Sequence, residues 1–173
     1  MDKQRPVFIV RAEREGEAEE LNLEESICSI GWGNTPNPFE RTREDIKAFG
    51  ATHWLNDKGE PARDAPFMIW RFARSAELDQ AVIVTPRLAP EHRGELMVGI
   101  CKGAAYWVED ARGDEANPRL RRPVRWVRTD VLRTSLSEET QEWLKSRRHT
   151  VRRVRIEEVQ QELRALAEEH AHE

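Results

Sequence analysis

Cysteine is scarce in this sequence, with two residues in 173, and tyrosine is scarcer, with one. Cys28 and Cys101 each sit inside an apolar, strand-like run. Two thiols cannot form the disulfide framework of a small secreted domain or a multi-cysteine metal site. They read as small buried hydrophobes in a reducing compartment, which makes the cytoplasm the expected location. No apolar run approaches the ~20 residues that a membrane-spanning helix needs. Met1 to Arg5 lacks the basic-then-apolar layout of a signal peptide.

Catalytic signatures are missing too. The sequence has no P-loop, no G-x-G-x-x-G, no C-x-x-C and no H-E-x-x-H. Its histidines, His53, His92, His149, His170 and His172, are scattered. A PD-(D/E)xK nuclease needs a lysine one residue beyond its second acid, whereas Glu95 is followed by Leu96 and Met97. No serine or cysteine lies in a nucleophile elbow. The expectation is a protein that is not an enzyme and carries neither metal nor cofactor.

What the sequence does hold is charge: 35% charged residues beside 38% hydrophobic, with a net charge of only −4. That balance suits one globular domain with a real core and is too apolar for a disordered chain. The charge is segregated. Residues 13 to 25 carry seven Glu and one Arg, residues 119 to 128 carry five Arg and no acid, and residues 147 to 155 carry five more Arg plus His149. Segregation of this kind either builds a basic face for a polyanion or lets the arginines pair with the glutamates.

Strands are expected at Val7 to Ala12, Ser26 to Trp32, Ala81 to Thr85, Leu96 to Tyr106, Val124 to Val127 and Thr150 to Ile156, where β-branched and apolar residues concentrate. Gly99 and Gly103 allow the fourth of these to bend. Glu17 to Glu25 suits a short helix or turn. Thr42 with Asp45 resembles a capping box opening one helix, and Pro66 opens another that runs to Ser75. Ser137 caps a helix to Lys145, and Glu157 to Glu169 forms a last amphipathic helix. Short strands in mixed order with helices imply an α+β fold with a bent sheet or barrel of five to six strands and two to four flanking helices. The expected organisation is one domain over residues 1–156, followed by a C-terminal helix and frayed tail over 157–173.

Six tryptophans beside one tyrosine make a lopsided aromatic set. Trp126 and Trp143 read as core residues. Trp32 differs, because it ends a strand between Gly31 and Gly33 and precedes the polar Asn34 and Thr35. A flat ring at a strand end, with amide and hydroxyl neighbours, is how a protein stacks on a nucleobase and hydrogen-bonds its edge. Trp107, next to Tyr106, is a candidate for the opposite wall. Trp70 has a core reading and a site reading in competition, and Trp54 is left undecided.

The order of the segments FIVRA, SICSIGWGNT, REDIKAF, LDQAVIVTP, ELMVGICKGAAYW, RRPVRWVRTDVLR and TVRRVRI resembles that of the modification-reading domains related to EVE and YTH, in the PUA-like superfamily. The resemblance spans roughly residues 6 to 156. It implies a strongly bent mixed barrel whose pocket receives a base flipped from its stack, a modified cytosine in DNA or a methylated adenine in RNA. By position it implies that Trp32 is the cage aromatic, with Asn34 and Thr35 in the loop beside it. Thr85 and Pro86 would fall at a strand end facing the pocket, where EVE proteins have His-Ser and YTH proteins Ser-Val-Asn. Trp107 follows Tyr106 where EVE proteins have Tyr-Pro-Asp, which implies a larger stacking surface.

The resulting expectation is a reader of modified DNA, with 5-methylcytosine as the leading ligand, and with Trp32, Asn34, Thr35, Trp70, Thr85, Tyr106 and Trp107 lining the base pocket. Arg11, Arg87, Arg93, Arg121 and Arg122 are the expected contacts to the phosphate backbone, where cations supply sequence-independent attraction. Because such domains occur alone or fused to restriction nucleases, a separate nuclease is a conceivable partner. Recognition of modified RNA is the first alternative. A nuclease using Glu95, Glu109 or Asp110 is the second.

Overall fold

The first strand shows how the chain is organised. Val7, Phe8, Ile9 and Val10 are all 0–2% exposed, so a four-residue run of apolar side chains is buried on both faces. Phe8 and Val10 enter one hydrophobic cluster, and Val7 and Ile9 enter another on the opposite side. The computed structural model describes residues 4–11, 16–32, 34–145 and 150–168. Ala12 of the expected first strand, Gly33, Arg147, Arg148, His149, His170 and His172 lie outside the described residues.

Among the described residues seven strands form one sheet: β1 (Val7–Val10), β2 (Ile27–Ile30), β3 (Val82–Pro86), β4 (Glu95–Cys101), β5 (Tyr106–Trp107), β6 (Leu120–Leu132) and β7 (Val151–Arg153). Their order is β2-β6-β4-β3-β1-β7, with β5 pairing β6 as well. Only β1 and β3 run parallel; the other pairs are antiparallel. The sheet curls into a half-barrel whose path ends at β2 and β7. The expected mixed α+β class is the one observed, with seven strands in place of the five to six expected.

Among the described residues five helices flank the sheet, against the two to four expected: α1 (Glu19–Glu24), α2 (Arg43–His53), α3 (Ala65–Arg74), α4 (Glu138–Lys145) and α5 (Glu157–Glu168). Helices α2 and α3 cover the inner face, where Ile46, Met68, Ile69 and Phe72 pack with Phe8, Ile30, Ile83 and Val124. Helices α4 and α5 cover the outer face, where Leu144, Val159 and Leu163 pack with Val7, Val84 and Val98. The start of α2 is a full capping box, because Asp45 N–H donates to Thr42 Oγ1 at 3.1 Å and Thr42 N–H donates to Asp45 Oδ2 at 2.9 Å. Asp64, ahead of α3, has a helical backbone and makes no cap bond with its side chain.

Two strands differ from the expectation. The arginine-rich stretch from 120 to 132 is a single 13-residue strand, far longer than Val124 to Val127. Its first residues lie between β2 on one side and β5 on the other, so pairing on both edges overrides the weak propensity of its arginines and Pro123. The segment from 96 to 106 is two strands, because the chain leaves the ladder after Cys101 and rejoins β6 only at Tyr106. Gly99 behaves as expected. It sits at a register shift, and a Cβ there would meet Val124 Cγ1 at 2.7 Å and Arg125 O at 2.8 Å. Cys28 and Cys101 are both buried. No helix among the described residues is long and apolar enough to cross a membrane.

Candidate nucleobase cavity and its surroundings

Strand β2 ends at Ile30, paired with Leu120, and the chain then turns away from the sheet. The turn is closed by hydrogen bonds. Thr35 N–H donates to Trp32 O at 3.0 Å, and Trp32 N–H donates to Thr35 Oγ1 at 3.1 Å. The Thr35 hydroxyl in turn donates to Trp32 O. Asn34 takes the left-handed conformation, φ 64°, which asparagine tolerates better than most residues. Hydrogen bonds between Trp32 and Thr35 thus anchor the backbone that carries the Trp32 indole at the strand end.

The indole is half-buried. Trp54 backs it, with ring centroids 5.6 Å apart and planes tilted by 44°, and Phe49 meets Trp54 edge-on at 5.4 Å. This settles the role of Trp54, which is 5% exposed and belongs to the core. Beside Trp32 opens a cavity of about 280 Å³, lined by Trp32, Asn34, Thr35 and, from β5, Trp107. The Trp107 indole N–H donates to Glu109 Oε2 at 2.8 Å, which fixes the ring. The rest of the wall comes from the loop between β5 and β6, with Arg112, Gly113, Asp114 and Arg119.

That loop is ordered by its own hydrogen bonds. Arg119 Nε donates to Ala111 O at 2.8 Å, and Arg112 Nε to Asp114 Oδ2 at 2.8 Å. The Arg112 hydrogen bond is the main reason the Asp114 carboxyl sits below its ordinary range. Gly113 has φ 80°, and a Cβ there would press on Arg119 Nε at 3.2 Å. Two guanidinium groups thus stand at the rim of an aromatic-walled hollow. Nothing in the sequence reading singled out residues 112–118, and Arg119 entered it only as the first member of a basic run. Gly113, Asp114, Asn117 and Pro118 signal a turn there, but not what the turn encloses.

The structure brings four of the seven expected pocket residues to this cavity and leaves three elsewhere. Trp70, on α3, is partly buried against the inner core and lies under the Arg74 guanidinium at 5.1 Å. Tyr106 is 39% exposed, one residue from Trp107 on a strand whose successive side chains face opposite ways. Thr85 is 4% exposed within β3, with its hydroxyl unpartnered, away from the cavity lining.

Three of the five arginines expected at a phosphate backbone need correction, because they are buried and bonded inside the protein. Arg122 is 1% exposed and donates to Phe72 O, Ser75 O, Gly103 O and Asp79 Oδ1 at 2.7–3.1 Å. Arg121 donates to Glu25, Asn117 and Pro118 O. Arg87 pairs with Glu19 at 2.9 Å and with Glu95 at 3.4 Å. A guanidinium already spent on internal acceptors has no edge left for a phosphate. Glu19 and Glu25 belong to the acidic run, so here the pairing alternative holds. Arg11 is half-buried and donates to Leu144 O at 2.6 Å; Arg93 is exposed.

Two of the three acids considered for catalysis, Glu95 and Glu109, are similarly occupied. Glu95 also faces His92 Nδ1 at 3.1 Å, and Glu109 holds Trp107. Among the described residues no group of three His, Cys, Asp or Glu side chains could hold a metal ion. Trp126 has the structural role expected of it, packed against the inner core and donating its indole N–H to Asn22 O at 3.0 Å.

Fold and site together define an α+β half-barrel with an aromatic-walled, cation-rimmed cavity at one strand end. No family model matches the sequence, and no curated protein matches it either. Among solved structures the chain is similar to the YTH domain of the Zygosaccharomyces rouxii MRB1 protein, in complex with N6-methyladenosine RNA. The likeness covers 80% of this chain and 68% of that one at 14% identity, with a TM-score of 0.36. At that level it carries no argument about residues or ligand.

Proposed function

We propose that this protein is a binding module that reads a modified nucleobase, with the base held in the cavity at Trp32. The observation that carries the reading is the half-buried indole at the end of β2, backed by Trp54 and sharing a hollow of about 280 Å³ with Trp107. That volume lies near the lower end of small-molecule sites, at about 300 Å³, and suits a single ring system better than a larger ligand. Asn34 offers an amide that can both donate to and accept from a base edge. Arg112 and Arg119 at the rim suit the phosphates on either side of an extruded nucleotide.

The energetics set the size of the expected effect. Extruding a base costs a few kcal/mol, and stacking on an aromatic ring returns about 1–3 kcal/mol per base. A methyl group buried against an indole adds about 0.8 kcal/mol, or roughly fourfold in affinity. The leading ligand is 5-methylcytosine in DNA, and modified RNA is the alternative. The test is a binding panel of C, 5-methyl-C, 5-hydroxymethyl-C and N6-methyl-A, in DNA and in RNA, at one salt concentration. Trp32→Ala should weaken binding of the preferred oligonucleotide by 1–3 kcal/mol, about 5- to 150-fold, and abolish the preference. Equal affinity for modified and unmodified strands would overturn the reading.

A further inference from the structure

A second cleft lies at the opposite end of the sheet path from the Trp32 cavity. It occupies about 270 Å³ between α3, β7 and the end of α4, and its lining sets one carboxylate, Asp64, against four guanidinium groups, Arg71, Arg152, Arg153 and Arg155, beside Phe67 of α3 and Trp143 of α4. Its charge is out of balance. Arg153 is paired with Glu77 at 2.6 Å, but Arg71, Arg152 and Arg155 make no ion pair among the described residues. Burial lowers the pKa of Arg71; Glu77 opposes that shift, while Arg155 and Arg153 add to it. Cations crowded this way favour an incoming anion.

The geometry favours one as well. The Arg152 guanidinium lies over the Trp143 ring, 3.8 Å from its centroid. Stacking uses the flat face of a guanidinium and leaves its N–H edge free, because the donors lie in the plane. On that edge, Arg152 Nη1 is buried and meets no acceptor. A buried charged donor without an acceptor is unfavourable, and an oxyanion removes the penalty. Arg71 lies 5.8 Å and Arg43 5.9 Å from the Phe67 centroid, and Phe67 is 43% exposed, so the cleft offers a partly exposed aromatic ring among its cations.

We propose that this cleft is a phosphate-binding site, distinct from the base cavity, which takes the phosphate of a nucleotide through Arg152, Arg71 and Arg155 and its ring against Phe67. The nucleotide can be free or part of a strand, and the chemistry recognised is the same.

The test follows the indole N–H resonance of Trp143, assigned with Trp143→Phe, during titration at constant ionic strength. Three probes are used: inorganic phosphate, adenosine 5′-monophosphate and an unmodified single-stranded oligonucleotide. A saturable shift of that resonance is expected. Arg155→Glu, at an exposed position, should weaken binding about tenfold or more, and Arg152→Gln likewise. Tighter binding of the mononucleotide identifies a free ligand, and tighter binding of the oligonucleotide identifies a strand. Inorganic phosphate, which carries no base, should shift the Trp143 resonance and leave the Trp32 indole resonance in place, which separates this site from the base cavity. Absence of a saturable shift with all three probes overturns the proposal. So does an Arg155→Glu protein that keeps the parent's melting temperature and binds as tightly as the parent.

Discussion

Replacing Arg122 by Met should unfold the protein more easily without touching any ligand contact. In the parent, Arg122 donates to Phe72 O at 2.8 Å, in the last turn of α3, and to Ser75 O at 3.0 Å, just beyond the helix, which also accepts from Leu78 N–H at 3.2 Å. It also donates to Gly103 O at 3.1 Å, where the chain passes from β4 to β5, and to Asp79 at 2.7 Å. One side chain thus ties a helix end, the turn after it and a strand connection. Methionine fills much of the volume and donates nothing. Asp79 is 38% exposed on its side chain and can rehydrate, so the main loss comes from the three carbonyls. Removing one partner from a buried ionic cluster costs about 3–5 kcal/mol. For a chain of this size that lowers the melting temperature by roughly 6–20 °C. Urea and thermal melts followed by circular dichroism would measure it. The control is Arg112→Gln, whose exposed pair with Asp114 is screened by solvent, so its melting temperature should stay close to the parent's. An Arg122→Met protein that melted with the parent, yet bound oligonucleotides more weakly, would refute this reasoning and restore Arg122 as a phosphate contact.

Gly99→Ala should destabilise the protein by about 1–3 kcal/mol in a denaturant melt, because its Cβ would overlap Val124, Arg125 O and Trp126, the last at 2.9 Å. Thr85→Val should be neutral or stabilise by up to about 1 kcal/mol, since it removes a buried hydroxyl with no partner; a loss above that would mean the hydroxyl has an acceptor. Burial raises the pKa of Glu162, but hydrogen bonds from the Thr140 hydroxyl and the Ser137 amide and hydroxyl outweigh that and hold it below its ordinary value. Its contribution to stability is therefore fully present above the ordinary glutamate pKa and is lost as pH falls through the depressed folded value. Glu162→Gln should flatten that part of the acid-stability curve, as measured by melting temperature against pH.

Legibility in the sequence tracked how local each signal was. The turn at Trp32, Asn34 and Thr35 is a matter of three neighbouring residues, and its chemistry can be read from their order. Trp107 was legible as an aromatic at a strand end. The arginines were not, because their roles depend on which face of a strand each occupies. Leu120, Arg122 and Val124 alternate onto the inner face with the core, while Arg121 faces Glu25 and Asn117 on the other side. A basic run read as a surface is therefore threaded through the protein, and only the long-range pairing of β6 with β2, β4 and β5 reveals it. Thr85 and Trp70 failed for the same reason, since their positions along the chain do not say which hollow lies nearby.

The two clefts share one cause in the topology. A sheet that curls without closing has two edges, and bare edges invite pairing with another chain unless short strands, charges or covering elements guard them. Here β2 stops after four residues in a hydrogen-bonded turn, and β7 has three residues, two of them arginines. Arg152 and Arg153 suffice to explain why β7 recruits no further strand. A guard residue, however, needs only to be solvated. Arg152 is half-buried on the face of Trp143 with a donor enclosed and unpaired, an arrangement that costs stability and adds nothing to edge protection. The difference between a solvated guard and a strained, stacked cation is what makes the β7 edge a site as well as a boundary.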